Sequence, residues 1–167
     1  AARARAAATR LQQEAEGLLN HEEVTLFANC LAFAGVDTTI NLLGNGTGLL
    51  ARFPEQRALL IGQPELLDGA IEEMLRMEPP AQGLPRRLTQ DMTLHGTVIP
   101  AGEEISLIFA AANHDPAQYP DPGSFDITRK NTDHLGFGFG LHKCIGQHLA
   151  RLEARAYFPR LLRQFPN

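Results

Sequence analysis

The sequence predicts a mainly α-helical protein with a small antiparallel β region. Two apolar stretches, residues 20–53 and 145–165, carry helical patterns bounded by capping or helix-breaking residues. Residues 84–108 instead combine short extended runs with turn sequences, which is typical of small strands. From Asn113 to Leu141 the chain is rich in proline, glycine and aspartate, which predicts a long functional loop.

The N-terminal elements follow from local signals. Residues 1–16 are predicted to be helical from their alanine content, and Gly17 is expected to end that element. Asn20 and Glu23 have the spacing of a capping box and predict the start of a long helix. Pro54 is expected to stop it.

The remaining elements are a second helix, a β region and a final helix. Pro64 lies in the predicted first turn of a helix that runs through Met77 and closes at two prolines. Turn sequences at residues 95–96 and 100–102 divide the β region. The final helix, from Ile145 to Phe165, has an apolar face, formed by Leu149, Leu152 and Ala156.

Length and composition set the outer limits of the function. The 167 residues, 44% of them hydrophobic, allow one sizeable core and argue against disorder, so we expect one domain over residues 1–167. A net charge of −4 without a basic block argues against nucleic acid. No apolar run approaches the length of a membrane span, and two distant cysteines fit a reducing cytoplasm.

The segment from Phe137 to Gly146 carries the strongest chemical signal. It brings Cys144 to the start of the final helix, where unpaired N–H groups and partial positive charge favour a thiolate. Gly138 and Gly140 allow the loop to fold back and direct amides at the sulfur, and Gly146 allows a flat macrocycle to approach. These features predict a haem-thiolate site.

Zinc is the alternative that the loop leaves open. His142, Cys144 and His148 are possible ligands, but structural zinc usually takes close pairs of cysteines. The other cysteine, Cys30, lies far away in an apolar run and is expected to be buried.

Two further constellations have ordinary interpretations when taken alone. Residues 34–39 place a glycine and two threonines in mid-helix, so Thr38 is expected to bond back to the Ala34 carbonyl and the helix to bend or open. The glycines of residues 44–48 weaken the helix but do not form a phosphate loop, because no strand precedes them and no lysine follows.

Glu73 and Arg76 have the i,i+3 spacing of a common surface ion pair. Arg86 or Arg87 begins an extended stretch, where an exposed arginine is common, although a guanidinium also suits a carboxylate. Spacing after Arg76 favours Arg86. Neither observation alone indicates a site.

With the pattern Phe-Gly-x-Gly-x-His-x-Cys-x-Gly complete, the chain resembles the cytochrome P450s. The resemblance implies that Cys144 is the axial ligand of haem b (iron protoporphyrin IX). It also implies that Phe137 shields the sulfur side of the ring and that His142 contacts a propionate. Gly138 and Gly146 belong to the same haem-binding loop. In this family the thiolate donates electron density that favours O–O cleavage.

The resemblance also gives roles to the other motifs. Ala34 and Gly35 would face the haem, Thr38 would hold oxygen and an ordered water, and Asp37 would relay protons. A structural network of Glu73, Arg76 and Arg129 would fix the cysteine loop, and Arg86 would pair with a propionate. Residues 81–84 would line the substrate pocket. The positive charge of Lys143, Arg151 and Arg155 near the cysteine is what docking of an acidic electron donor would require, and a solvated helix face is the alternative.

The resemblance covers about residues 17–167 and only the C-terminal portion of the family's fold: the oxygen-groove helix, Glu-x-x-Arg helix, meander loop, cysteine loop and final helix. It implies a cytoplasmic, bacterial-type monooxygenase that inserts one atom of O2 into an apolar small molecule. NAD(P)H would supply electrons through a ferredoxin or flavodoxin-type partner. We expect activity only from a longer chain. The alternatives are a peroxide-using haem-thiolate enzyme and a non-catalytic haem carrier or sensor.

Overall fold

The computed structural model describes residues 16–130 and 133–166. The chain divides after Thr38 into two compact units, and each is described by itself. The described residues form helices and two small antiparallel sheets, which confirms the predicted fold class. The helix predicted for residues 1–16 lies almost entirely outside the described residues. Gly17, expected to end it, has φ +70°.

The first described helix, α1, runs from His21 to Arg52. Its predicted capping box is confirmed, since the Asn20 N–H donates to Glu23 Oε2 at 2.8 Å and the Glu23 N–H donates to Asn20 Oδ1 at 3.0 Å. Pro54 does stop this helix, because it begins the next one.

By length and composition alone, α1 is long and apolar enough to cross a membrane, with a mean hydropathy of 1.4 over its most apolar window. This differs from the expectation that no apolar run approaches that length. Core helices and signal sequences meet the same criterion, but only 6% of this apolar window is buried. The core leucines of α1, Leu42, Leu49 and Leu50, lie in its C-terminal half. Further toward the N-terminus, Cys30 is exposed, so the expectation of a buried cysteine is wrong.

Two helices follow α1. Helix α2, Pro54–Gly62, was not predicted, although proline at its first position and Glu55 in its first turn are typical start signals. A short 3₁₀ turn, Pro64–Leu66, leads into α3, Leu67–Met77. The predicted helix from Pro64 to Met77 is therefore present with a 3₁₀ first turn.

The β region contains two antiparallel pairs. The strands are β1 (Leu84–Arg87), β2 (Met92–Leu94), β3 (Thr97–Ile99) and β4 (Glu104–Leu107). Strand β1 pairs with β4, and β2 pairs with β3 through a two-residue turn. His95 and Gly96 both have positive φ, 47° and 81°, as such a turn requires. A short helix that was not predicted, α4 (Phe109–Ala112), follows β4.

The final helix, α5, spans Gln147–Gln164 and follows a long loop that contains a 3₁₀ turn at Gly140–His142. Its buried residues are Ala154, Phe158 and Leu162, which recur every four positions. The apolar face expected at Leu149, Leu152 and Ala156 is exposed instead. Spacing identified an apolar face, but packing against α1 and α3 selected a different one.

The core joins α1, α2, α3, α5 and the long loop. Gly46 shows why one glycine of the α1 run is required. An added Cβ there would lie 2.5 Å from Phe158 Cζ and 2.7 Å from Met74 Sδ. Close helix packing therefore accounts for this glycine, whereas Gly44 and Gly48 have nothing within 4 Å of the equivalent position.

Candidate active site

Cys144 lies between the 3₁₀ turn and the first residue of α5, and its thiol is exposed. Gly138 and Gly140 adopt φ +69° and +64°, which glycine does without steric cost. The Cys144 N–H donates to the Phe137 carbonyl at 2.8 Å and closes the loop. In the described parts of the chain, no N–H donates to the sulfur, so the amides expected at the thiolate are not directed at it.

The cysteine loop exposes three large apolar side chains close to Cys144 in the sequence, together with His142 and Lys143. Phe139, Leu141 and Ile145 are 83%, 103% and 84% exposed. An added Cβ at Gly146 would meet only Cys144 Sγ, at 3.8 Å, so its surface is also open. Three exposed large apolar side chains within five residues of one thiol favour an apolar group that covers them. An exposed cysteine on a loop with exposed apolar side chains fits the residues that haem b requires.

The same loop does not favour zinc. Among residues 16–130 and 133–166, no three His, Cys, Asp or Glu side chains lie together as a metal site would require. A haem iron needs only one protein thiolate on its proximal side.

A buried charge network lies behind the loop. Arg76 Nε donates to Glu73 Oε2 at 2.7 Å and its Nη2 donates to Oε1 at 2.9 Å, with both side chains almost fully buried. Arg129 Nε donates to the same carboxylate at 3.1 Å. The structure therefore brings together the three residues that the sequence assigned to one network.

This network also fixes the long loop through its backbone. Arg76 donates to the carbonyls of Asn113, Pro122 and Ser124 at 2.9, 2.9 and 3.1 Å. Its guanidinium lies 5.2 Å from the ring centre of Tyr119, and burial raises the pKa of the Tyr119 phenol. One side chain thus holds three points of the loop.

A second cluster, which sequence reasoning missed, joins α3, α5 and the loop. Arg151 donates twice to Glu72, at 2.6 and 2.7 Å, and the His134 ring lies 3.0 Å from Glu72 Oε2. Burial opposes ionisation of Glu72, but Arg151 and His134 outweigh it and lower the pKa of this carboxyl to about 2. The Arg151 guanidinium also lies 4.5 Å from the ring centre of Phe137.

These pairings change the expectation for a positively charged docking surface. Arg151 is neutralised by Glu72, and Arg155 Nε donates to Asp68 at 2.6 Å. Of the three basic residues assigned to docking, only Lys143 has no ion pair within the described residues.

Arg86 and His142 were predicted to bind the haem propionates, and neither has a carboxylate partner within the described ranges. Arg86, on β1, is half-buried and donates to the Pro85 carbonyl at 2.8 Å. His142 is exposed in the 3₁₀ turn. An arginine without a partner carboxylate suits an acidic ligand.

The remaining predicted site residues lie in the N-terminal unit. Ala34, Gly35, Asp37 and Thr38 are exposed on α1. Thr38 Oγ1 donates to the Ala34 carbonyl at 2.6 Å, as expected, but α1 is helical without interruption, so it does not open there.

Comparison with known proteins identifies the family. Residues 57–166 match the Cytochrome P450 family. The chain is 44% identical over 162 residues to cytochrome P450 monooxygenase PikC of Streptomyces venezuelae, covering 96% of this chain and 39% of that protein. It is 42% identical over 158 residues to a steroid C26-monooxygenase of Mycolicibacterium smegmatis, covering 94% and 39%.

Solved structures agree with the sequence comparison. The tirandamycin C-bound P450 monooxygenase TamI matches with a TM-score of 0.91 and 39% identity, covering 96% of this chain and 41% of that one. P450BioI, in complex with an acyl carrier protein, matches with a TM-score of 0.86 and 42% identity, covering 89% and 39%. This chain spans about two fifths of the length of these relatives. With the cysteine loop, the buried arginine network and these matches together, the chain belongs to the cytochrome P450 family.

Proposed function

We propose that this chain is the C-terminal part of a haem-thiolate monooxygenase, with Cys144 as the axial ligand. One observation carries the proposal: an exposed thiol and three exposed large apolar side chains lie on one long loop that a buried charge network anchors. An exposed cysteine without a ligand role does not need its loop to be held in place by a buried charge network. A ligand to a metal centre does, because its position sets the coordination geometry.

The haem supplies the redox chemistry of O2 activation, and the thiolate tunes it. The chain's own groups then have distinct tasks. Cys144 presents sulfur from a loop closed by the hydrogen bond between its N–H and Phe137 O. Phe139, Leu141 and Ile145 are exposed in this chain and would offer apolar surface to a bound haem, which would keep water from the sulfur side. Low local polarity strengthens the electrostatic influence of the thiolate.

Arg86 and His142 would hold the propionates. Neither has a carboxylate partner within the described residues, and each offers N–H donors of the kind that a propionate accepts. Glu73, Arg76 and Arg129 contribute through structure, because they fix the loop rather than contact the reacting atoms.

Proton delivery is assigned to Thr38 and Asp37. The Thr38 hydrogen is committed to the Ala34 carbonyl at 2.6 Å, which leaves the hydroxyl oxygen able to accept from an ordered water. Asp37 is exposed on the same helix and can exchange protons with solvent. Ala34 and Gly35 add little bulk, which suits a helix face lying near a macrocycle.

The proposed substrate is an apolar small molecule, and the electrons come from NAD(P)H through a ferredoxin or flavodoxin-type protein in the cytoplasm. Relatives include a vitamin D(3) 25-hydroxylase and a 6-deoxyerythronolide B hydroxylase, whose names describe hydroxylation of those organic compounds. Since Arg151 and Arg155 are paired, Lys143 is the basic residue of this region best able to meet an acidic donor.

Turnover of the haem-loaded protein with substrate and electron donor tests the proton-delivery assignment. We expect Thr38→Ala to divert reducing equivalents from product to peroxide. Thr25→Ala is the matched control, because Thr25 makes the same bond to a helix carbonyl, His21 O at 2.8 Å, in the same helix. Equal coupling in both variants would contradict the assignment. Turnover driven only by added peroxide would favour the peroxide-using alternative, and ligand binding without turnover would favour a carrier or sensor.

A further inference from the structure

The strongest feature left unexplained by the proposed function is His134. Its side chain is 2% exposed, and it lies in the loop that leads to Cys144. The ring contacts two polar partners. Nε2 lies 3.0 Å from Glu72 Oε2, and Nδ1 lies 3.0 Å from the Gly136 backbone nitrogen.

These two contacts fix the tautomer of the imidazole. The Gly136 N–H can only donate, so Nδ1 must accept and carries no proton. Nε2 then carries the hydrogen and donates it to the Glu72 carboxylate. His134 is thus held between a carboxylate of α3 and an amide of its own loop.

The backbone at Gly136 also packs closely against α3. A Cβ added there would lie 2.9 Å from the Leu75 carbonyl oxygen and 3.0 Å from His134 Nδ1. The backbone at Gly136 therefore contacts α3 directly, and no residue larger than glycine fits at this position. The Leu135 N–H adds a third contact, donating to Asn113 Oδ1 at 2.7 Å.

The segment around Gly136 leads directly to the cysteine. Phe137 follows Gly136, and its ring centre lies 6.0 Å from that of His134 and 4.5 Å from the Arg151 guanidinium. The Phe137 carbonyl accepts the Cys144 N–H at 2.8 Å. A shift of the Gly136 peptide would therefore move the carbonyl that positions Cys144.

We propose that His134 is a positioning residue for the cysteine loop, acting through the hydrogen bond that its Nδ1 accepts from Gly136 while Glu72 orients its ring. This hydrogen bond is a property of the loop alone. Its effect on Cys144 as a ligand rests on the proposed function.

Two substitutions at His134 separate packing from hydrogen bonding. His134→Phe retains a ring of similar volume and removes both polar contacts. His134→Asn places an oxygen near the position of Nδ1 and retains an acceptor for Gly136. His95→Asn is the control, because His95 is exposed in the β2–β3 turn and asparagine tolerates its positive φ.

The haem-loaded proteins are compared by hydrogen exchange at the Gly136 amide and by the half-life of the red-shifted band of the reduced, CO-bound form. For His134→Phe we expect exchange about tenfold faster, the loss of one ordinary hydrogen bond, and a shorter half-life. His134→Asn should recover most of both, and His95→Asn should match the parent.

The proposal is overturned if His134→Phe exchanges like the parent, because packing alone would then hold the loop. It is also overturned if His134→Asn behaves like His134→Phe, because the Gly136 bond would then not carry the effect. A parent protein without the red-shifted band would refute the proposed function instead. The exchange rates would still show whether the hydrogen bond between Gly136 and His134 holds the loop.

Discussion

Replacing Arg76 by methionine should destabilise the protein far more than the same change at an exposed arginine. The change removes two N–H bonds to Glu73, which is 2% exposed, and leaves that carboxylate with Arg129 as its remaining ion-pair partner. It also removes the donors to three loop carbonyls. Breaking a buried pair from one side costs about 3–5 kcal/mol, a large part of the roughly 5–15 kcal/mol that stabilises a typical domain.

Urea unfolding followed by far-UV circular dichroism measures this cost. The matched control is Arg52→Met, since Arg52 pairs with Glu78 but its side chain is 57% exposed, and such pairs contribute about 0–1 kcal/mol. Arg76→Lys retains the charge without the planar fork and should lie between the two. Equal losses for Arg76→Met and Arg52→Met would refute the reasoning, because burial would then not set the cost.

Two other predictions concern packing and pH. Gly46→Ala should destabilise the protein by about 1–3 kcal/mol through its clash with Phe158, whereas Gly48→Ala, with open space, should stabilise it by roughly 0.5–1 kcal/mol; thermal unfolding that ranks them in the opposite order would contradict this. Because the pKa of Glu72 falls from 4.5 to about 2 on folding, its contribution is complete above pH 4.5 and lost as the pH falls toward 2. Allowing for solvent screening, that contribution is about 1–2 kcal/mol. Glu72→Gln should therefore flatten the loss of stability over this pH range, and unchanged acid denaturation would count against the pairing.

The sequence predicted elements whose signals are local. The Asn20 capping box, the stop at Pro54 and the hairpin turn at residues 95–96 each depend on a few neighbouring residues, and each is present. Helix α2 had comparable start signals but followed another helix after a single residue, so it was missed. Pattern reasoning also chose the wrong face of α5, because packing partners distant in sequence decide burial.

In the candidate site, too, the sequence predicted local contacts and missed contacts between distant residues. The Glu73–Arg76 spacing was visible in the sequence, and the resemblance supplied Arg129 as its third member. The cluster of Glu72, His134 and Arg151 joins residues 62 and 79 positions apart, and nothing local marks such contacts. The same contacts neutralise an arginine that sequence reasoning had left free for docking. Long-range ion pairing therefore limited what the sequence could predict about the site.

The most direct test of the central claim replaces Cys144 by serine and compares the product with Cys30→Ser. Both cysteines are exposed, so general thiol effects are matched. The measurement is the Soret spectrum of the reduced, CO-bound protein after reconstitution with haem. We predict that Cys30→Ser keeps the strongly red-shifted band of thiolate ligation and that Cys144→Ser loses it. A red-shifted band that survives in Cys144→Ser would contradict the assignment of this sulfur as the iron ligand.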